Sequence, residues 1–153
     1  MDLKLKSMNQ MQLPKLRILI GLMNTTSTLG EKLMSEILNK VEKPWGSYET
    51  IYSDENTQVK IIVISPNQRP SYQYHFKRTE TWVVVKGVGT LTLDDVVSLV
   101  KKGDVLFIPK EAKHRIQNTG NENLIFVEVQ MGEYFGEDDI VRVSDDYSRE
   151  STR

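Results

Sequence analysis

From residue 48 onward the chain is a succession of short runs rich in Val, Ile, Tyr and Thr, each closed by turn-forming residues. This pattern constrains the fold more than any other feature of the sequence. Runs at 48–52, 58–65, 72–76, 81–86, 90–93, 96–100, 104–108, 113–117 and 124–131 have the composition of half-buried pleated surface and are predicted as strands. Pro66-Asn67, Gly87, Asp94-Asp95, Lys102-Gly103 and the segment around Gly120 supply the turns between them. So many short strands at even spacing imply a sandwich or barrel.

The 153 residues suffice for one domain with a single core, and a formal net charge of −1 implies no bulk attraction to nucleic acid or to an anionic membrane. The absence of cysteine excludes a disulfide framework and thiolate metal ligation, and agrees with a cytoplasmic location.

The chemistry-bearing residues fall in two of the predicted strand regions. Gln73 and His75 lie two apart, so they project from one face of a strand. Glu80 is out of alternation with His75, which requires a turn through 76–79 before strand resumes. His114, the only other histidine, must come from another strand of a closed sheet. Two imidazoles, a carboxylate and an amide oxygen suit Zn²⁺, with Mn²⁺, Fe²⁺, Co²⁺ or Ni²⁺ also compatible. A carboxylate beside Trp82 needs a partner in either case: a metal ion, or an ion pair with Arg78 or Arg115. Gln73 reads equally as a ligand, a supporting donor or a plain polar strand residue.

These two stretches resemble the paired motifs of the cupin superfamily. The first reads Asn67-x5-Gln73-x-His75-x4-Glu80-x6-Gly87, and the second Gly103-x5-Pro109-x-Glu111-x2-His114-x3-Asn118. Asn67 and Glu111 stand where the motifs have glycine, and Gln73 where they have a first histidine. The opening Lys43-Pro44-Trp45-Gly46-Ser47-Tyr48-Glu49 and the closing run from Glu128 to Arg142, followed by Asp145-Asp146-Tyr147, are similar to the cupin domain of type II mannose-6-phosphate isomerases. Such domains usually end bifunctional mannose-1-phosphate guanylyltransferases. The resemblance implies an all-β double-stranded β-helix, the cupin jelly roll, over 43–149. It also implies a divalent metal on Gln73, His75, Glu80 and His114. The activity implied is interconversion of mannose 6-phosphate and fructose 6-phosphate through a cis-enediol, in nucleotide-sugar and polysaccharide precursor synthesis.

Arg142, Arg115 and Lys77 are the candidates to hold the substrate phosphate, because guanidinium and ammonium groups fit its oxygens. The general base is not identified. In the family's ligand segment histidines flank the metal positions, whereas this chain has Phe76, Lys77 and Thr81 there. Two other functions therefore stay open: a non-haem iron dioxygenase built on His75, Glu80 and His114, and a non-catalytic sugar-binding module.

Residues 1–42 form a separate arm. Its apolar run at 16–23 is too short to span a bilayer and no small-residue cleavage pattern follows it, so it reads as non-secretory. Thr28 and Glu31 have capping-box spacing, and apolar residues then recur at helical intervals, which predicts a helix around 29–41. Residues 150–153 are a tail. No glycine-rich phosphate loop occurs, so a guanylyltransferase half is not expected within this chain. Open strand edges and the arm together point to a homodimer. Trp45, Tyr48 and Trp82 are expected in packing roles, and the acidic run at 137–139 on a solvated surface.

Overall fold

The structure is a computed structural model and describes residues 40–149. All nine predicted strands are present, and two more frame them. In chain order the elements are β1 (Lys40–Lys43), β2 (Gly46–Ser53), β3 (Thr57–Ile64), β4 (Tyr72–His75), β5 (Arg78–Lys86) and β6 (Val88–Leu93). Then follow β7 (Val96–Lys101), β8 (Val105–Ile108), β9 (His114–Asn118), β10 (Leu124–Gly132), a 3-10 turn at Glu137–Asp139, and β11 (Ile140–Ser144). They pair antiparallel into two sheets, ordered β1-β2-β3-β10-β5-β8 and β11-β4-β9-β6-β7. This is the expected jelly roll. The predicted helix around 29–41 lies outside the described residues except for Lys40 and Val41, which are strand and pair with Glu49 and Tyr48.

The space between the sheets is apolar at one end and polar at the other, and the gradient can be read along single strands. The inward positions of β10 run Leu124, Phe126, Glu128, Gln130, and those of β5 run Val84, Trp82, Glu80, Arg78, all of them buried. Trp45, Ile62, Ile64, Leu91, Val100, Ile108 and Ile116 complete the apolar end. At the other end the same pleat presents groups that need partners, because a buried polar side chain without one is costly.

Two motif positions explain themselves in the backbone. Asn67 and Glu111, the residues standing in place of motif glycines, both hold left-handed conformations, with φ of 61° and 63°. Asparagine tolerates that region, whereas glutamate is strained in it. Glu111→Gly is therefore expected to stabilise the protein by up to about 1 kcal/mol, read as a raised urea midpoint with an unchanged m-value. Asn118, the last residue of the second motif, is structural. Its amide donates to the carbonyls of Ile64 and Glu122 at 2.9 and 2.8 Å, and its oxygen accepts from the Gly120 N–H at 2.9 Å.

Candidate metal centre

A sheet switch explains the spacing between His75 and Glu80. β4 lies in one sheet and β5 in the other, and the chain crosses between them at 76–77. The turn is shorter than the expected 76–79, since β5 already begins at Arg78. Asp139 holds this corner, its carboxylate accepting the N–H of Phe76 at 3.3 Å and of Lys77 at 3.1 Å. Asp139 is buried, so the acidic run at 137–139 is not simply solvated surface. Its neighbour Glu137 accepts from Lys43 and from the Tyr48 hydroxyl, both at 3.1 Å. The short-range pattern of three acids gave no hint that one of them caps a corner from 62 residues away.

β9 lies beside β4, with Gln73 and His114 directly opposite each other, and Glu80 faces both strands from the other sheet. The ligand-type atoms of His75, Glu80 and His114 lie within 4.8 Å of one another, and all three side chains are buried. His75 Nε2 is 3.3 Å from one carboxylate oxygen of Glu80, and His114 Nε2 is 3.7 Å from the other. His114 Nδ1 donates to the Ala112 carbonyl at 2.9 Å, which leaves the Nε2 lone pair turned toward Glu80. That nitrogen is buried without a hydrogen-bond partner. An imidazole fixed in one tautomer by a carbonyl, its other nitrogen orphaned beside a carboxylate, is a donor set that fits a divalent cation.

Gln73 lines a pocket together with Glu80 and His114, and its carboxamide oxygen accepts from Ser71 Oγ at 2.6 Å. Arg78, only 3% exposed, also belongs to the centre. Its Nε lies 3.2 Å from Glu80, and Nη2 lies 3.3 Å from His75 Nε2. Of the two partners expected for Glu80, the Arg78 ion pair is thus present, and Arg115 is not part of it. Trp82 Nε1 and Gln130 Nε2 donate to Glu80 at 3.1 and 3.0 Å, so the carboxylate is held from several sides.

The proposed phosphate residues separate. Arg115 and Arg142 line the pocket, and Arg142 pairs with Gln73 across β11 and β4. Lys77 does not line it: its side chain is exposed, with the ammonium 4.7 Å from the centroid of the Tyr134 ring. The reason is the tight corner, which aims successive side chains outward. Phe76 is half exposed for the same reason, and Thr81 sits on the opposite face of β5 from Glu80. Lys43, Lys60 and Arg149 line the pocket instead, although only tertiary pairing brings them there.

Sequence reasoning also missed Glu128. It stands directly opposite Lys60 in the β10–β3 ladder and accepts from Gln130 Nε2 at 2.7 Å. Burial pushes its carboxyl up to about 8, the Glu80 carboxylate adding to the effect and Lys60 and Arg78 opposing it. Burial also lowers the Lys60 ammonium. His75 is driven down to about 3 by burial, against the pull of Glu80. Burial works to raise the Glu80 carboxyl too, but the His75 and His114 imidazoles and the Arg78 guanidinium outweigh it and hold it at about 2.

These shifts set a pH profile for the metal-free protein. His75, ordinarily at 6.5, resists protonation when folded, so the unfolded chain takes up the proton first and stability falls as pH drops below 6.5. Glu80 adds a second loss below its ordinary 4.5. Glu128 acts in the opposite sense, because the folded protein retains a proton that the unfolded chain releases, and stability declines from pH 4.5 up to about 8. Between 4.5 and 6.5 the His75 and Glu128 slopes oppose, one proton each. Urea midpoints after chelation should form a plateau there and fall on both sides. Stability still rising between pH 7 and 8 would contradict the assignment of Glu128.

Comparison with known proteins agrees with this geometry. Residues 31–145 match the family described as mannose-6-phosphate isomerase, C-terminal. The chain is 40% identical over 134 residues to an alginate biosynthesis protein AlgA of Pseudomonas putida, covering 86% of this chain and 28% of that protein. It is 37% identical over 117 residues to a mannose-1-phosphate guanylyltransferase of Sinorhizobium fredii, covering 76% of this chain and 23% of the relative. The chain thus spans about a quarter of the length of these relatives. Among solved structures, a Klebsiella pneumoniae protein with a double-stranded β-helix domain superposes with a TM-score of 0.58 at 20% identity, over 69% of this chain and 80% of that one. With fold, ligand cluster and flanking motifs in agreement, the chain belongs to the mannose-6-phosphate isomerase C-terminal family of cupins.

Proposed function

We propose that this chain is a metal-dependent sugar-phosphate isomerase that interconverts mannose 6-phosphate and fructose 6-phosphate. The observation that carries the reading is the buried convergence of His75, Glu80 and His114 beside a pocket lined by several cationic side chains. Gln73, His75, Glu80 and His114 would hold a divalent ion, Zn²⁺ suiting this donor set best. When bound, the ion supplies Lewis-acid stabilisation for negative charge that develops on the sugar oxygens during enolisation.

The remaining work falls to the chain's own groups. Arg115 and Arg142, which line the pocket, are our candidates to take the phosphate, with Lys43 in the same lining. Glu128 carries a carboxyl tuned close to neutrality, so it can release and recover a proton at low cost, and it is our candidate to move the proton between adjacent carbons. The buried walls formed by Trp82, Phe126 and Ile116 keep water from the enediol. The Phe76, Lys77 and Thr81 departures do not line the pocket, which supports retention of the family's chemistry. A cysteine-free chain acting on a sugar phosphate fits a cytoplasmic setting.

One observation favours a second reading. The Arg78 guanidinium already satisfies Glu80 and reaches His75, as a metal-free, non-catalytic sugar-binding module would require. An NMR assay of the purified chain with mannose 6-phosphate separates the two. Isomerisation that ceases on chelation and returns with added Zn²⁺ or Mn²⁺ is the expected result. Binding without turnover under every divalent metal would establish the module instead, and oxygen uptake by an iron-loaded protein would indicate a dioxygenase.

A further inference from the structure

Among the described residues the second sheet ends at β7, and this edge is unusual. Natural edge strands are blunted by charge, proline or bulges, since an open row of N–H and C=O groups templates pairing with another chain. β7 carries none of these along 96–100, and its pairing with β6 runs without a register shift. Val96, Val97 and Leu99 are 69%, 63% and 85% exposed. Charges appear only at its two ends, Asp94 and Asp95 before it and Lys101 and Lys102 after it.

The hairpin decides which backbone groups face outward. Asp94 and Asp95 form its two-residue turn, both with positive φ, and Leu93 and Val96 close it. A closing pair exchanges hydrogen bonds, so Val96, Ser98 and Val100 direct theirs to β6, while Val97 and Leu99 direct theirs to the open edge.

We propose that this edge binds a second copy of the same chain, antiparallel, about a two-fold axis through Ser98. In that register Val97 of each copy exchanges hydrogen bonds with Leu99 of the other, Val96 opposes Val100, and Ser98 opposes itself. The turn bearing Asp94 and Asp95 then lies at the end of the interface nearest Lys101 and Lys102 of the partner copy. Each aspartate spends one carboxylate oxygen inside its own chain, Asp94 on the Lys113 N–H and Asp95 on the Tyr72 hydroxyl. A slip of two residues sets aspartate against Leu99 and Val100, or lysine against Val96 and Val97. A slip of one residue pairs outward groups with inward ones, and a parallel arrangement sets like charges together. The segment is self-complementary in hydrogen bonding, apolar surface and charge in this one register, which is the property of an isologous two-fold interface.

Sedimentation velocity of the whole chain tests the proposal, and the expected species is a dimer. Leu99→Lys, at a solvent-exposed position that leaves the fold intact, should raise the dimer dissociation constant at least about tenfold. The chain has no cysteine, and opposed Ser98 residues form a non-hydrogen-bonded pair with Cα atoms about 4.5 Å apart, within disulfide range. Ser98→Cys should therefore link two chains covalently on air oxidation. A monomeric wild-type chain overturns the proposal. So does a dimer that Leu99→Lys leaves unchanged, or one in which Ser98→Cys does not cross-link.

Discussion

Glu80→Ala is expected to abolish divalent metal binding and to destabilise the fold by about 3–5 kcal/mol. Both effects have one origin. Glu80 is the only carboxylate in the His75–Glu80–His114 cluster, and two imidazoles without it hold a divalent ion poorly. The same carboxylate neutralises Arg78, whose guanidinium is as deeply buried as its partner. Removing one member of a buried pair strands the other charge in a poorly solvated site. The two effects can be separated experimentally. Arg78→Ala in the same chain should recover part of the lost stability, because no buried charge is then uncompensated, but it should recover none of the metal. Metal content by mass spectrometry and urea denaturation of the single and double variants read these outcomes. Full metal occupancy in Glu80→Ala would remove Glu80 from the ligand set, and strictly additive stability losses would remove the buried pair.

Glu128→Gln is expected to lower kcat by about 10²–10⁴ while leaving metal content unchanged. The substitution keeps the size of the side chain and an oxygen able to accept from Gln130 Nε2, so the pocket loses a transferable proton rather than its shape. A purely structural role predicts something different: altered KM or stability without selective loss of turnover. The variant carries a second signature, because glutamine does not titrate. The decline in stability toward pH 8 that Glu128 imposes on the metal-free protein should vanish with it. Unimpaired turnover in Glu128→Gln would assign the proton transfer to another group, with Lys60, its cross-strand neighbour, next in line.

The strands were legible because β-branched runs and turn residues act locally, and all nine predicted segments are strands. β1 escaped because Lys40–Lys43 is mostly charged, and β11 because its β-branched residues Ile140, Val141 and Val143 form only a five-residue stretch directly after an acidic turn. Both are strands because β2 and β4 offer them a partner. His75, Glu80 and His114 were legible for a different reason. A metal site needs scarce residue types, and a chain with two histidines leaves few ways to build one.

Lys77 shows where sequence distance misleads. It lies two positions from His75, yet the corner that sends the chain from one sheet to the other turns it outward onto Tyr134. Lys60, Glu128 and Asp139 show the converse. Each reaches the centre or its supporting corner through pairing between segments far apart in the chain, and none has a local signal that separates it from ordinary strand or surface polarity.

By itself, then, the amino-acid order determined the all-β class, the strand positions and the atoms able to bind a metal, since pleat period, turn chemistry and donor type are local properties. Tertiary structure alone decided which charges those atoms would meet. Pairing of β3, β10 and β5 within one sheet brings Lys60, Glu128 and Arg78 into one poorly solvated space, where burial and close approach change what each group does.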